Sequence, residues 1–498
     1  ADGTFAVEYE IPRRASKDSP VKQADWPIEA RATSVEPGGG GASATGVLTV
    51  APVVLKLHSV RLVQVVDAPI RGESYRLAAG KIAGVRAMVS CPSIGPLRGI
   101  SNVVATVMLD VGWGAQDIVK EKREFVVTDD PTPCDFTFTL ESGAYSIGVI
   151  ADPDFRYMPP DQSEEMFKDV GKPVRVEKTK DLAVVFGLVG PWKRLPPSWA
   201  DAAAFCHRQA AFIRDVFCIR TGGFRSRYIG HVEETDDLSG MAEKAGLMAA
   251  SGRWTKLVAV KDHSDPVFPK DKEVEGCCYP LWNRRLAYVK YGAHRHVAGH
   301  EIGHLCYLRN RPSDEEYDLP GLDLGLSVTG LVLKAGRIYD LSKDKENGAA
   351  FHQGALQGLE IHCMMGPPKI DAWICDECHA NLLEELADPP DSEALLISGV
   401  MKTGGSLQLN APHVLRGVLA DPPFGQGQFS IECLSADGRA LYSDRFGGPE
   451  KGDAPVCFLI PMPGGTARAR VTHGDRVVRE FVRSAAPPTV RVIAPNAG

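Results

Sequence analysis

The segment His300-Glu301-Ile302-Gly303-His304 constrains this chain more than any other. Two histidines four residues apart project from one face of a helix, one turn above the other. Converging imidazoles can grip one zinc ion from the same side. Glu301 follows the first histidine directly, so its carboxylate can reach a water held in an open coordination position. Zinc lowers that water's pKa toward about 7, and the glutamate takes its proton as general base. His300 and His304 are therefore the expected metal ligands, Glu301 the expected catalytic base and Zn2+ the expected cofactor. The flanks agree with a helix. Val297, Glu301, His304, Leu305 and Leu308 recur at three- and four-residue steps, and no proline interrupts Ala293 to Arg311. Gly299 and Gly303 disfavour a helix by propensity but admit close packing beside a metal.

A catalytic zinc needs a third protein ligand besides its open position. In the longer pattern H-E-x-x-H-x-x-G-x-x-H a glycine turns the chain and a third histidine completes the set. Tyr307 and Asn310 stand at those positions here. Tyrosine suits that turn poorly, and an amide is a weak zinc ligand. Asp314, Glu315, Glu316, Asp318 and Asp323 follow, with His352, Glu360 and His362 further on. Asp314 is taken as the third ligand. His294 and His296, just ahead of the motif, read as surface or substrate-cleft histidines.

The chain of 498 residues suggests about three domains. Its 44% hydrophobic content allows a sizeable core. No run of eighteen apolar residues occurs, so no membrane span is expected. The net charge of −7 comes without a basic block, which argues against nucleic acid as a partner. Of twelve cysteines, Cys91 and Cys134 lie in the first third, Cys433 and Cys457 in the last. Cys206, Cys218, Cys277, Cys278, Cys306, Cys363, Cys375 and Cys378 fall between them. Even numbers throughout point to an oxidising compartment, with bridges such as Cys91–Cys134 and Cys433–Cys457. Cys375-x-x-Cys378 has two readings: half of a structural zinc site with Cys363 and Cys306, or disulfide partners. The even counts favour disulfides. The start at Ala1-Asp2-Gly3 fits a secreted protein whose leader was removed, and equally a recombinant fragment. A secreted or otherwise extracytoplasmic protein is expected.

Residues 1–45, rich in Pro and Gly and ending in Gly38–Gly41, read as an extended arm or linker. Residues 46–180 hold short β-like runs, among them 53–57, 60–66, 103–109, 136–140 and 145–150, and read as an N-terminal β-sandwich. From Asp181 the texture alternates: strands near 182–186, 228–232, 257–260 and 286–290, helices over 199–216 and 237–249. Residues 181–388 thus read as a central α/β domain. Residues 285–291, the last strand before the metal helix, are assigned to the cleft, where they would pair with extended substrate. Runs near 395–400, 429–433 and 456–460 suggest a C-terminal β-sandwich over 389–498. The expected class is multidomain α+β, with the central domain flanked by two sandwiches.

The order of segments resembles secreted bacterial zinc metallopeptidases of the zincin clan, metzincin-like in type. The resemblance rests on the helix-borne motif, then Gly325–Gly330, then Met364-Met365-Gly366, then Trp373-Ile374 and a short helix. Residues 77–86 and 395–399 look like the openings of the flanking modules of such proteins. The resemblance implies a zincin-like catalytic domain, His300 and His304 as ligands, Glu301 as base, and Met364 or Met365 in a methionine turn beneath the metal. It implies a secreted endopeptidase acting on protein or peptide, with surface or glycan contacts through the sandwiches. A catalytically inactive structural or adhesion protein on the same fold is the rival, supported by Tyr307 and Asn310.

Overall fold

The computed structural model describes residues 24–33, 41–50, 55–68, 70–71, 73–92, 99–110, 118–152, 166–193, 196–232, 238–243, 253–268, 275–278, 283–306, 308, 330–341, 362–365, 372–386, 393–402, 406–416, 420–421, 425–447 and 453–483. The chain forms two units. One comprises residues 1–177 with 330–347, the other 178–329 with 348–498.

In the first unit, Ala24–Thr33 and Gly41–Val50 pair as an antiparallel ladder, where the Gly-rich composition had suggested an unpaired arm. Two larger sheets share one core. The first runs Thr132–Thr139, Ile82–Ser90, Lys56–Gln64, Val66–Asp67, Leu331–Lys334, Arg337–Asp340. The second is built around Gly143–Ala151, Ile100–Asp110 and Ile118–Val127. Val85, Val89 and Phe136 from one sheet meet Val107, Ile147 and Val149 from the other. Alternation along these strands turns every second side chain inward, so two such faces bury each other. The hairpin Leu331–Asp340 comes from far along the chain and joins at the short strand, where Val332 lies opposite Val66. Asp67 accepts the Leu331 N–H at 3.1 Å and pairs with Arg61 at 2.5 Å. Arg86 donates to the Ile338 carbonyl at 3.0 Å.

The second unit carries the histidine motif. Its first sheet has the order Phe224–Val232, Asp181–Val189, Arg253–Lys261, Leu286–Lys290, Gly276–Cys278. The first four strands are parallel and Gly276–Cys278 is antiparallel at the edge. The strand Leu286–Lys290 is therefore internal, and the assignment of residues 285–291 to an open cleft edge is corrected: Gly276–Cys278 holds that place. Glu393–Lys402 pairs with Ser406–Leu409, His413–Arg416 and Ala454–Pro461 in a second sheet. A third runs Ala440–Phe446, Phe429–Leu434, Arg468–His473, Arg476–Val482.

The expected fold class does not hold. Strands account for 54% of the structure and helices for 15%, which is a β-rich fold and not one with a central α/β zincin domain. A parallel sheet in an α/β domain is covered by helices on both faces. Here Leu257, Ala259 and Tyr288 pack against Leu396, Cys457 and Leu459, so one face of the parallel sheet is closed by another sheet. The stretch 181–388 thus depends on residues beyond 389 for its core, and it gives up 330–347 to the first unit.

The expected disulfides are also corrected: no disulfide joins any of the twelve cysteines. Cys134 lies opposite Ala87, four residues from Cys91 on the neighbouring strand. That offset is about 13 Å along the strands, beyond the roughly 7 Å a disulfide spans between Cα atoms. Cys433 packs with Phe429 and Phe446, whereas Cys457 faces Leu257 and Tyr288, so these two point into different cores. The even cysteine count therefore no longer argues for an oxidising compartment. No described helix is long and apolar enough to cross a membrane.

Candidate metal centre

The helix Val297–Leu305 bears the motif and is held from outside at both ends. His296 at its start provides no side-chain cap. Gln209, on the helix Trp199–Val216, takes over: its Oε1 accepts the Ala298 N–H at 2.9 Å and its amide donates to the His294 carbonyl at 2.8 Å. One of the helix's orphan donors is thereby satisfied from a neighbouring helix. At the other end the fully buried Lys256 donates to the carbonyls of Leu305 at 3.0 Å and Arg284 at 2.7 Å. A cation there complements the helix dipole. Desolvation first, and Arg285 second, lower the Lys256 ammonium to about 8. The two motif-region glycines serve close approach. A Cβ at Gly299 would lie 2.9 Å from Phe212 Cδ1, and one at Gly303 2.7 Å from Met365 Sδ.

His300 and His304 converge, with their Nε2 atoms 3.1 Å apart. His300 Nδ1 lies 2.5 Å from the Met364 carbonyl, and His304 Nδ1 2.8 Å from the Leu308 carbonyl. A carbonyl only accepts, so the partners assign the proton to Nδ1 in both rings. In the neutral rings both Nε2 lone pairs then face one another, an arrangement that a shared cation resolves. Two nitrogens bound to one tetrahedral zinc at about 2.0–2.1 Å are spaced about 3.3 Å apart. The backbone carbonyls are the outer partners that fix tautomer and ring orientation in metal-bound histidines. The donor set fits a divalent metal. The His300 side chain keeps 20% of its surface exposed, so the position opens to solvent.

Glu301 Oε1 lies 4.0 Å from His300 Nε2, close enough to serve a water held at the pair. Desolvation pushes its carboxyl up to about 8, and the Cys278 thiol donates a hydrogen bond to it. Desolvation and the adjacent Glu301 raise that thiol, which stays protonated as donor. Desolvation, with His304 beside it, lowers His300 to about 3. A divalent cation at the pair would bring the Glu301 carboxyl back down. Gly276, on the same edge strand as Cys278, also lies against Glu301, where a Cβ would come within 2.8 Å of Oε1.

Met364 and Met365 sit beneath this helix, both buried, one through its carbonyl on His300 and the other through its thioether on Gly303. Asp314 lies outside the described residues, as do Tyr307, Asn310 and the other acidic candidates. His294 is exposed and its N–H donates to Glu275, while His296 is buried against Phe212, so only the former fits a surface histidine.

Close by in sequence to the methionines is a second group. The sulfur atoms of Cys363, Cys375 and Cys378 lie within 4.8 Å of one another, all three buried, and they could hold a metal ion. Hydrogen bonds from the Cys375 and Cys378 thiols hold the Cys363 thiol down to about 3, while theirs are pushed up. Cys306, grouped with them from the sequence, is buried at the end of the histidine helix and is not among the three. Sequence reasoning missed Gln209, Lys256, Cys278 and the Met364 carbonyl. Only Lys256 left a trace, as the one charge opening the apolar run 257–260.

No protein-family model matches the chain, and no curated protein does. Among solved structures, a CARDB domain of a Pyrococcus furiosus protein in complex with di-metal ions is 12% identical, covering 26% of this chain and 92% of its own, at a TM-score of 0.19. A superoxide reductase (neelaredoxin) from Ignicoccus hospitalis is 14% identical over 24% of this chain and 82% of its own, at 0.15. A glycosyl hydrolase family 2 member from Bacteroides cellulosilyticus is 11% identical over 90% of this chain and 66% of its own, at 0.16. At such TM-scores none of the three bears on fold or function.

Proposed function

We propose that this chain is a zinc-dependent endopeptidase, with His300 and His304 as metal ligands and Glu301 as general base. The observation that supports it most is the pair of Nε2 atoms 3.1 Å apart, each ring anchored through Nδ1 to a backbone carbonyl. Bound zinc would supply Lewis acidity and a lowered pKa for water. Glu301 takes a proton from the attacking water as its oxygen adds to the scissile carbonyl carbon. The same carboxyl then returns that proton to the leaving nitrogen as the C–N bond breaks. The antiparallel edge strand Gly276–Cys278 offers its outer side to an extended peptide, which it would align by backbone hydrogen bonding past Glu301. Peptide and protein are thus the proposed substrates, and a secreted location remains part of the proposal.

The test is Glu301→Gln, assayed on a fluorescently labelled unfolded protein alongside elemental analysis. Zinc content should match the wild type while hydrolysis falls by about 10²–10⁴-fold. Hydrolysis unchanged in the variant, or a wild-type chain that takes up no zinc at the histidines, would sink the reading.

A further inference from the structure

The turn that orients His300 is itself tied to three thiols. Cys363 ends the short strand His362–Cys363, which pairs in parallel with Ala372–Trp373. The Met364 N–H donates to the Trp373 carbonyl at 2.5 Å. Backbone N–H groups of Met365 and Cys375 both donate to the Cys363 sulfur, and that of Cys378 donates to the Cys375 sulfur. Hydrogen bonds of this kind favour thiolates. Cys375 immediately precedes the helix Asp376–Leu386, and Cys378 lies in its first turn. The positive end of an eleven-residue helix thus meets the sulfur cluster.

A disulfide cannot use these residues fully, because pairing any two leaves the third thiol buried beside the bridge. A tetrahedral thiophilic metal uses all three. At about 2.3 Å per metal–sulfur bond, its ligand sulfurs are about 3.8 Å apart. The observed separations, all within 4.8 Å, need only a small contraction to reach that spacing. The three residues are 1%, 6% and 1% exposed, unlike the solvent-open histidine pair, which is the closed environment of a structural site.

We infer that Cys363, Cys375 and Cys378 bind a second metal ion of the zinc class, and that it positions His300 through the turn Cys363-Met364-Met365. One residue beyond the Cys363 ligand, the Met364 carbonyl receives His300 Nδ1. One further, Met365 Sδ rests on Gly303 of the same helix. The thiolate ion would lock the outer partner of a catalytic ligand in place. Cys363, Cys375 and Cys378 are positioning residues in this scheme, remote from any substrate. The coupling to His300 rests on the peptidase reading; the thiolate site does not.

The full chain, purified without added metal or histidine tag, is reconstituted with Co2+ alone, and its cobalt content and absorption spectrum are recorded. In the His300→Ala/His304→Ala variant one equivalent should remain, with thiolate-to-cobalt charge-transfer bands. In Cys375→Ser/Cys378→Ser those bands should vanish, and the histidine site should bind Co2+ about 10–100-fold more weakly. No metal and no charge-transfer band in the histidine variant would overturn the thiolate site. Wild-type affinity at the histidines of the cysteine variant would overturn the coupling. Should the cysteine variant fail to fold, alkylation of the wild-type chain decides. Cys363, Cys375 and Cys378 should become labelled only after chelator treatment, and labelling at equal rates with and without chelator would overturn the site. Both readouts are independent of proteolysis, so absence of peptidase activity alone would leave this inference standing.

Discussion

Single atoms decide how Glu301 is presented. Gly276 leaves room for its carboxylate, and an added methyl would press on Val297 Cγ1 and on Oε1 and Cγ of Glu301, all at under 3 Å. Gly276→Ala should therefore displace the base while sparing the histidines. The expected outcome is kcat reduced by at least about tenfold with zinc content unchanged, since a misplacement of about 1 Å can cost 10²-fold. Steady-state kinetics beside elemental analysis would check it, and a normal kcat would contradict the placement of Glu301. Lys256 acts at the same scale. Its ammonium donates to two buried carbonyls, those of Leu305 and of Arg284, the second of which also accepts from Arg285 Nη1 at 3.1 Å. Lys256→Met keeps the volume but takes this donor from the Leu305 carbonyl and leaves the Arg284 carbonyl to Arg285. A loss of about 1–3 kcal/mol in urea denaturation is expected.

Among the elements, the histidine helix is short. Its nine residues are too few to stand alone, because isolated helices under about 12–15 residues are marginal in water. Gln209 from the neighbouring helix anchors its first turn, and Gln209→Ala should cost about 1–2 kcal/mol, as the loss of a cap does. The same variant should release zinc faster to a chelator, because the first histidine lies two residues from the lost anchor at Ala298. Periodicity made this helix legible, and the strands 429–434 and 454–461 were legible from their apolar runs. The partner of each strand was not. A run such as 286–290 reads the same whether it lies inside a sheet or at its edge, since all that differs is what its backbone groups bond to. The edge position passed instead to Gly276–Cys278, three residues whose Gly-Cys-Cys composition carries no strand signal.

For the molecule as a whole, the cysteines make the sharpest test. Twelve cysteines outside any disulfide imply that a chain unfolded without reductant, in the presence of chelator, reacts at all twelve positions with an alkylating reagent. Mass spectrometry would count them; six fewer would mean that three bridges exist after all. Division into units is likewise a property of the whole. The hairpin Leu331–Asp340 belongs to the first unit because Val332 pairs with Val66 and Asp67 takes the Leu331 amide, contacts between residues some 260 positions apart. Nothing local to residues 331–340 encodes that destination.

What the sequence by itself determined is chemistry bound to short range: two imidazoles one helical turn apart, a carboxylate between them, and three cysteines near the methionines. Helical spacing of 3.6 residues per turn converts residue order into geometry over a few positions, so such features can be read directly. Only the tertiary structure decided which sheet covers which, that the parallel sheet is closed by strands from beyond residue 389, and that the cysteines meet no bridging partner. It also brought Gln209, Lys256, Cys278 and the Met364 carbonyl to the histidine helix. Burial of apolar surface drives those choices, and it is non-directional, so it acts between residues hundreds of positions apart without leaving a pattern at either one.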